Sequence, residues 1–331
     1  MYKNKKILIT GGTGTIGYHL TKALLQFDPA VIRVFSRDEH KQYEMSQDFQ
    51  EHSRKMRYLI GDVRDEARLL RAMEDIDYVF HLAAMKHVPA CEYNPFEAVK
   101  TNVIGTQNVI QASIQAGVKK VLFTSSDKAI SPTNTYGSTK LMAERLISAA
   151  EYQKGPKSTI YSSVRFGNVM GSRGSVIPLF KKQVLQEGRI TITDPEMLRY
   201  MMTPSQAIGL ILKANGMAQG GEVFVLKMPV VRIGDLADAV IDLVTSQNNL
   251  RSMIEKKITG LRPGEKRYEE LMTADERNIA YETEEMYVLP SVFREASKGK
   301  KGVANPLLSF EEEEIIKPEQ LKNWIQDEQL L

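Results

Sequence analysis

Short runs of β-branched and aromatic residues alternate with helical patterns through the first half of the chain. The apolar runs predict strands over 6–10, 31–36, 56–61, 78–83, 120–125 and 158–167, and the segments between them predict helices near 15–27, 38–54, 65–73, 94–116 and 136–153. Such alternation is typical of βαβ units, whose parallel sheet is covered by helices on both faces. We therefore predict an α/β fold with a doubly wound parallel sheet of the Rossmann type.

The second half of the chain is less regular because several prolines interrupt it. A helix over about 204–217 and a strand over 222–227 are predicted to return to the first domain. The predicted division is a Rossmann domain of residues 1–167 plus about 204–228, a smaller substrate-binding lobe of about 168–203 and 229–290, and a C-terminal tail over 291–331. The tail is predicted to contain a short amphipathic helix that begins near Pro318.

Charge and composition exclude several classes of protein. The 331 residues include 44 Lys and Arg against 41 Asp and Glu, a net charge of +3 that gives no indication of a nucleic-acid groove. One cysteine, Cys91, and five scattered histidines disfavour disulfides and a Cys/His metal site, so we expect no metal. We find no signal-peptide pattern and no run of about 18 apolar residues, and we expect a cytoplasmic protein with no membrane partner.

A glycine-rich segment follows the first predicted strand directly. Gly11, Gly14 and Gly17 have the GxxGxxG spacing between a strand and a helix. Glycines at these positions allow a tight turn and let backbone N–H groups approach a pyrophosphate at the helix N-terminus. A plain strand-to-helix turn is the alternative, but the βαβ context favours a dinucleotide site. The predicted cofactor contacts here also include Thr13, Thr15 and Ile16.

The second predicted strand ends in Ser36 and Arg37 rather than in an acidic residue. A carboxylate at this place binds the ribose 2′-hydroxyl of NAD, whereas a guanidinium and a hydroxyl suit the 2′-phosphate of NADP. We therefore predict NADP as the cofactor; the alternative is that Arg37 is a surface residue and Asp38 binds the ribose. The remaining predicted contacts after the third and fourth strands are Asp62, Val63, Ala83, Ala84 and Lys86. His81 is predicted to be packed within its strand.

The fifth predicted strand leads into a candidate catalytic segment. Tyr136 and Lys140 form a Y-x-x-x-K pattern, and residues four apart lie on one face of a helix. A tyrosine titrates near pH 10, and we expect the Lys140 ammonium together with the positive nicotinamide ring to lower its pKa so that Tyr136 can deprotonate a substrate hydroxyl. Ser125 or Ser126 would hold the same hydroxyl. Lys140 and Tyr136 are also predicted to contact the cofactor.

From TGGTGTIG to RPGEK, the chain resembles the extended short-chain dehydrogenase/reductase superfamily. Within it, the chain is similar to the soluble nucleotide-sugar 4,6-dehydratases that invert C5 of UDP-N-acetylglucosamine. The matching segments are HLAAMKHVP (81–89), SSDKAISPTNTYGSTK (125–140), VRFGNVMGSRGSVIPLF (164–180), TITDPEMLRYMMT (191–203) and GLRPGEK (260–266). Membrane-bound relatives that retain the C5 configuration carry Met where this chain has Tyr136, so the chain sides with the inverting branch.

The resemblance implies catalytic roles for Asp127 and Lys128 in addition to Tyr136, Lys140 and Ser126. Tyr136 would deprotonate O4 while NADP accepts the C4 hydride, Lys128 would remove the C5 proton, and Asp127 would protonate the departing C6 hydroxyl. A lysine base must be a neutral amine, so we expect burial and the nearby cations to lower the pKa of Lys128. The alternative for Asp127 and Lys128 is an ordinary surface ion pair.

Substrate contacts follow from the sixth predicted strand, from Lys86 and from the resemblance. Asn168 is predicted to bind the diphosphate or the sugar, and Lys86 the sugar or the cofactor, with a solvated loop charge as its alternative. The further contacts that the resemblance implies are Val169, Ser175, Val176, Pro178, Leu179, Thr193, Arg199, Met201, Arg262 and Glu265. Met201 could instead pack between the lobes, and any single arginine could be a surface charge.

We thus expect an NADP-dependent UDP-N-acetylglucosamine 4,6-dehydratase that makes a modified sugar. One rival is a UDP-sugar 4-epimerase of the same fold, which gives Asp127 and Lys128 nothing to do. Another is a non-catalytic NADP-sensing protein, against which the complete Ser, Tyr and Lys set argues. The helices at 94–116 and 136–153 form a dimer face in the superfamily, so a homo-oligomer, a dimer or a hexamer, is expected.

Overall fold

A computed structural model describes residues 1–250, 253–261, 264–291 and 315–331. Its strands are β1 (Lys6–Thr10), β2 (Val31–Ser36), β3 (Met56–Ile60), β4 (Tyr78–His81), β5 (Lys120–Thr124), β6 (Ile160–Arg165), β7 (Asn168–Val169), β8 (Arg189–Ile192), β9 (Leu198–Met202), β10 (Val223–Leu226), β11 (Val230–Arg232), β12 (Glu255–Ile258), β13 (Tyr281–Glu282) and β14 (Met286–Leu289). The first six strands and β10 confirm the predicted strands, and each observed end lies within two residues of the predicted end.

The helices surround these strands. They are α1 (Thr15–Leu25), α2 (Glu39–Asp48), α3 (Glu66–Met73), α4 (Val88–Tyr93), α5 (Pro95–Ala98), α6 (Gly105–Ala116), α7 (Thr135–Gln153), α8 (Val176–Glu187), α9 (Pro204–Met217), α10 (Ile233–Gln247), α11 (Ala274–Ile279) and α12 (Pro318–Asp327). A π-helical segment, Val99–Ile104, joins α5 to α6. The predicted helix near 94–116 is confirmed, because α5, the π-helical segment and α6 follow one another from Pro95 to Ala116 without leaving the helical conformation. The prediction missed α4, which ends at Asn94.

Within the described residues, the largest sheet has nine strands in the order β13-β14-β10-β6-β5-β4-β1-β2-β3. The seven strands from β10 to β3 are parallel, and β14 and β13 add antiparallel at one edge. Helices α1, α2 and α9 pack on one face, and α3, α6 and α7 pack on the other. This doubly wound sheet confirms the predicted fold class.

A smaller lobe lies beyond the carboxyl ends of the parallel strands. It contains the three-stranded sheet β11-β9-β7, the pair β12-β8, and helices α8 and α10 around their own apolar core. Helix α12 joins this core and buries Leu321 and Ile325 almost completely, a contribution of about 1.5–3 kcal/mol per side chain. Strands β13 and β14 belong to the large sheet, although the predicted division assigns residues 281–289 to the lobe; the rest of that division stays a prediction.

The described part of the chain contains no helix that is both long enough and apolar enough to cross a bilayer.

Candidate active site

Two cavities meet where the parallel strands end. The glycine-loop cavity, of about 780 Å³, runs from the loop after β1 past the ends of β2 and β3 to the segment after β4. The lobe cavity, of about 800 Å³, lies between the segment after β5 and the smaller lobe. Lys86 and His87 line both cavities. Ligands of open α/β sheets bind at this carboxyl edge, so the two cavities are the candidate cofactor and substrate sites.

The glycine-loop cavity brings together most of the residues predicted to bind the cofactor. Its walls include Gly11, Thr13, Gly14, Thr15, Ile16, Gly17, Ser36, Arg37, Asp62, Val63, Ala83, Ala84 and Lys86. Tyr136 and Lys140 are not among its lining residues within the described part of the chain.

The glycines of this loop are required by geometry. Gly11 has a positive φ of 69°, and a Cβ there would lie 2.8 Å from the backbone of Ala83. A Cβ at Gly17 would lie 2.4 Å from the Gly12 carbonyl oxygen. Helix α1 begins immediately after this turn with Gly14 as its N-cap, so free N–H groups face the cavity. The loop therefore fits the pyrophosphate of a dinucleotide.

Charged side chains surround the far end of the same cavity. The exposed Arg37 guanidinium lies 3.7 Å from the Asp62 carboxylate. Asp38 caps α2: one of its oxygens accepts from the Lys41 backbone N–H at 3.0 Å and the other from Lys41 Nζ at 2.5 Å. The Ser36 hydroxyl accepts a hydrogen bond from Gln42 at 3.0 Å. Arg37 is thus the less engaged of the two candidate ribose contacts, while both carboxylate oxygens of Asp38 have partners.

Arg173 is a residue that the sequence reasoning missed. Its guanidinium donates to the carbonyl oxygen of Thr13, and its backbone N–H donates to the Thr15 hydroxyl at 3.1 Å. Lys86 Nζ donates to the Arg173 carbonyl oxygen at 2.9 Å. The loop after β7 therefore contacts the glycine-rich loop directly. The signal available in the sequence was the two glycines that flank Ser172 and Arg173, Gly171 and Gly174, both of which adopt a positive φ.

Helix α7 positions the Y-x-x-x-K pair. The Asn134 side chain accepts from the Gly137 backbone N–H at 2.8 Å and fixes the start of the helix, so Tyr136 lies on its first turn. Burial raises the pKa of Tyr136, and this outweighs the lowering by a hydrogen bond with Ser126 and by the charge of Lys128. In the protein without a dinucleotide the Tyr136 pKa is therefore raised, and its lowering by Lys140 together with a bound nicotinamide stays a prediction.

Lys140 lies one helical turn further on and is almost fully buried. Its Nζ donates to the Thr124 carbonyl oxygen at 2.5 Å and lies 4.0 Å from the centroid of the Phe123 ring. Burial lowers its pKa to about 7, although Glu144 opposes this. The charge of Lys128 lowers the Tyr136 pKa, whereas Lys140 Nζ is directed at the end of β5.

Asp127 and Lys128 form a buried pair at the end of β5. Asp127 is fully buried, and one of its oxygens, Oδ1, accepts from the Ser126 hydroxyl at 2.9 Å, from the Lys128 backbone N–H at 2.8 Å and from Lys128 Nζ at 3.1 Å. The other oxygen, Oδ2, is buried without a hydrogen-bond partner in the described residues, as is the Ser125 hydroxyl. The alternative of a surface ion pair is wrong, because the Asp127 side chain is 1% exposed and that of Lys128 20%.

The charge state of Lys128 differs from the prediction. Burial lowers its pKa, but the nearby carboxylates of Asp127 and Glu269 outweigh burial and raise it. Glu269 Oε1 lies 3.8 Å from Lys128 Nζ, and both residues line the lobe cavity. Lys128 is therefore an ammonium in the protein alone, and the expected neutral amine is wrong for this state. The sequence reasoning did not consider Glu269.

The lobe cavity collects most of the residues predicted to contact substrate. Its walls include Lys86, Asn168, Val169, Ser175, Val176, Leu179, Thr193, Arg199, Met201 and Glu265, whereas Pro178 is not on them. Arg262 lies outside the described residues. Arg199 donates to the backbone carbonyls of Lys266 and Arg267 at 2.7 Å and 3.0 Å, so it holds the segment that forms one wall.

His81 is packed as predicted. Its two ring nitrogens lie 2.7 Å from the Thr10 hydroxyl and 3.0 Å from the Thr106 hydroxyl. Complete burial and the charge of Lys140 lower its pKa to about 3, so the imidazole is neutral.

Comparisons with known proteins agree with the fold. A family model described as polysaccharide biosynthesis protein matches residues 7–291. An X-ray structure of Pen from Bacillus thuringiensis superposes with a TM-score of 0.93 at 52% sequence identity, covering 100% of this chain and 99% of that chain.

Curated relatives carry three kinds of name. The chain is 49% identical over 305 residues to an uncharacterized membrane protein of Methanocaldococcus jannaschii, covering 92% of this chain and 91% of that protein. It is 46% identical over 295 residues to an inverting UDP-N-acetylglucosamine 4,6-dehydratase of Campylobacter jejuni, covering 88% and 85%. It is 40% identical over 304 residues to a UDP-glucose 4-epimerase of Rickettsia massiliae, covering 91% and 87%. The chain therefore belongs to the polysaccharide biosynthesis protein family.

Proposed function

We propose that the protein is a C5-inverting UDP-N-acetylglucosamine 4,6-dehydratase. The observation that carries this proposal is the buried pair of Asp127 and Lys128 next to Tyr136, with Lys128 on the wall of the lobe cavity. An epimerase needs one base at the 4-hydroxyl, whereas a dehydratase also needs a base at C5 and an acid at the C6 oxygen. The similarity to the Campylobacter jejuni dehydratase supports the same assignment.

The cofactor of this proposal is NADP, held in the glycine-loop cavity. When bound, its nicotinamide supplies the hydride acceptor for C4 and the hydride donor for C6. Arg37 and Lys41 line the ribose end, and the Asp38 carboxylate is already engaged by Lys41. Two cations at this end favour a 2′-phosphate over a bare 2′-hydroxyl.

Each catalytic side chain has one task in the proposed reaction. Tyr136 takes the proton of the 4-hydroxyl while its own phenol proton passes to the Ser126 hydroxyl, which in turn donates to Asp127 Oδ1 at 2.9 Å. Lys140, on the same helix, holds the end of β5 through its hydrogen bond to the Thr124 carbonyl oxygen. Lys128 takes the C5 proton once C4 is a ketone, because the carbonyl makes the neighbouring C–H acidic. The proton from the 4-hydroxyl, passed on by Tyr136 and Ser126, converts the Asp127 carboxylate into a carboxylic acid. That acid protonates the departing C6 hydroxyl, with Oδ2 as the oxygen that the described neighbours leave without a hydrogen bond. Return of a proton to the opposite face of C5 inverts that carbon.

The nucleotide is proposed to occupy the outer part of the lobe cavity. Asn168 and the N-terminus of α8, with Ser175 as its N-cap, face this space and suit the diphosphate. Thr193, Arg199 and Glu265 form the opposite wall, where the ribose and uracil would lie.

A homo-oligomer in the cytoplasm completes the proposal. Tyr93 and Phe96 are 88% and 62% exposed, and Ile104 and Met142 are 44% and 52% exposed on the neighbouring helical surface. Large apolar side chains gathered on one helical surface favour association with a second copy. Light scattering of the purified protein tests this, and a monomer at all concentrations would contradict it.

The test of the proposed function is incubation of the purified protein with UDP-N-acetylglucosamine and NADP. We expect a product lighter by one water, with solvent deuterium at C5 when the reaction is run in D2O. A 4-epimerase would release an isomer of unchanged mass, and a cofactor-sensing protein would give no turnover. Either of these results would contradict the proposal.

A further inference from the structure

Glu269 is a buried carboxylate on the wall of the lobe cavity that the proposed mechanism leaves without a task. It is 5% exposed and lies 3.8 Å from Lys128 Nζ. No hydrogen bond from the described residues reaches its carboxylate. The groups whose charges act on it are Lys128, Asp127, Arg199 and Lys266.

The proposed reaction requires a change in the protonation of Lys128. Lys128 Nζ lies between Asp127 Oδ1 at 3.1 Å and Glu269 Oε1 at 3.8 Å, with Tyr136 as the third titratable neighbour. Two carboxylates keep the amine charged, yet only a neutral amine can take a proton from C5. The ammonium proton must therefore move to a neighbouring group before C5 is deprotonated.

Glu269 is the carboxylate available for that proton, because Asp127 receives the 4-hydroxyl proton in the proposed reaction. The Oδ1 atom of Asp127 already accepts three hydrogen bonds, from the Ser126 hydroxyl, the Lys128 backbone N–H and Lys128 Nζ. Glu269 has no comparable donors among the described residues. Burial and the charge of Asp127 raise its pKa, which outweighs the lowering by Lys128, Arg199 and Lys266.

We propose that Glu269 accepts the proton that Lys128 must release before Lys128 can act as the base at C5. The Nζ–H bond of Lys128 breaks and an O–H bond forms on Glu269, so an ammonium and a carboxylate become an amine and a carboxylic acid. A shift of the flexible lysine by about 1 Å closes the gap to hydrogen-bonding distance. The amine then takes the C5 proton, and the C–H electron pair enters the conjugated system next to the C4 ketone. This inference rests on the proposed dehydratase function.

The test is Glu269→Gln, with Glu270→Gln as the matched control. The control makes the same chemical change one residue further on, where the side chain lies 3.6 Å from Arg277. In Glu269→Gln we expect water loss to fall by about 10²-fold, the effect of removing one proton-transfer group. Hydride transfer from C4, followed by the absorbance of the reduced cofactor, should stay within about twofold of the wild type, so reduced cofactor accumulates. Glu270→Gln should behave as the wild type.

A purely electrostatic role of Glu269 predicts a shifted pH profile for water loss instead of a lower maximal rate. Loss of its negative charge would then lower the pKa of Lys128, moving the acid limb of the pH profile for water loss to lower pH without a drop in the maximal rate. That result, or loss of hydride transfer together with water loss, would overturn the inference. Glu269→Asp keeps a protonatable carboxyl and should therefore recover part of the rate of water loss. If Glu269→Asp and Glu269→Gln lost the same share of that rate while both melted at the wild-type temperature, the inference would also be overturned.

Different results would contradict the dehydratase function and the role of Glu269. A wild-type protein that does not remove water from UDP-N-acetylglucosamine contradicts the proposed function. A wild-type protein that does so, with Glu269→Gln at full rate, contradicts only the role of Glu269.

Discussion

Two buried cations in this protein each lie between two carboxylates, and they are built differently. Arg165 is completely buried and donates to Glu144 at 2.6 and 3.2 Å, to Glu276 at 2.8 and 3.0 Å, and to the Leu271 carbonyl oxygen at 2.9 Å. Lys128 has one close carboxylate at 3.1 Å, a second at 3.8 Å, and a cavity beside it.

We call Arg165 with Glu144 and Glu276 the Arg165 triad, and Lys128 with Asp127 and Glu269 the Lys128 triad. The first is built for structure and the second for proton transfer. A guanidinium does not lose its proton in proteins, and its fork satisfies both carboxylates at once, so the Arg165 triad is fixed in one charge state. An ammonium exchanges protons readily when its surroundings change. In the Lys128 triad, Asp127 Oδ2 has no hydrogen-bond partner among the described residues, and the Glu269 carboxylate lies 3.8 Å from Lys128 Nζ, beyond hydrogen-bonding distance. These are the atoms that a substrate or a moving proton can use.

The largest expected effect is on catalysis. Lys128→Ala should reduce water loss by about 10²–10⁴-fold, because it removes the proposed base at C5. Thermal melting and cofactor binding should remain close to the wild type, since Lys128 borders a cavity. Near-normal turnover of UDP-N-acetylglucosamine by this variant would contradict the role of Lys128 and would make the two triads equivalent.

The corresponding change in the other triad should act on stability. Arg165→Met leaves Glu144 and Glu276 facing each other without a cation, and breaking a buried ion pair in this way costs about 3–5 kcal/mol. Urea unfolding followed by circular dichroism measures the free energy of unfolding. A loss below about 1 kcal/mol would show that Arg165 does not hold α7, β6 and α11 together.

Acid titration should distinguish the triads further. Burial raises the pKa of Glu276, but the hydrogen bonds and charge of Arg165 outweigh it, so the net pKa is lowered from 4.5. A group with a lowered folded-state pKa stabilises the protein above its unfolded-state pKa, and this contribution is lost as pH falls through the folded-state pKa. Glu276→Gln should therefore lose about 1.5–3 kcal/mol at neutral pH and less at acid pH. A difference between variant and wild type that does not shrink below about pH 4 would contradict this.

The smallest expected effect concerns an exposed pair. Arg37 lies 3.7 Å from Asp62 with its side chain 59% exposed, so it adds little to stability. Arg37→Ala should weaken binding of NADP by about tenfold while leaving NAD binding unchanged, because only NADP carries the 2′-phosphate. Calorimetric titration of both dinucleotides checks this, and an equal loss for both would assign Arg37 a role other than 2′-phosphate recognition.

The sequence predicted those parts of the molecule that local patterns determine. The strands, the glycine-rich turn and the start of α7 follow from residues a few positions apart, and the same holds for the contact between Asp127 and Lys128. Glu269 and Arg173 were missed because each reaches the site from a distant segment by tertiary packing. The protonation of Lys128 was predicted wrongly because the charges of Asp127 and Glu269 raise its pKa more than burial lowers it. Helix α4 was missed, whereas the helix predicted near 94–116 is present from Pro95 to Ala116.

Lys86 and His87 belong to the walls of both cavities, and Lys86 also holds the loop that carries Arg173 against the glycine-rich turn. A molecule seated in one cavity therefore alters the surface offered to a molecule in the other. Such coupling is reciprocal, since thermodynamic linkage requires each partner to change the affinity of the other by the same factor. Dinucleotide affinity measured with and without UDP should consequently differ by the same ratio as UDP affinity measured with and without dinucleotide.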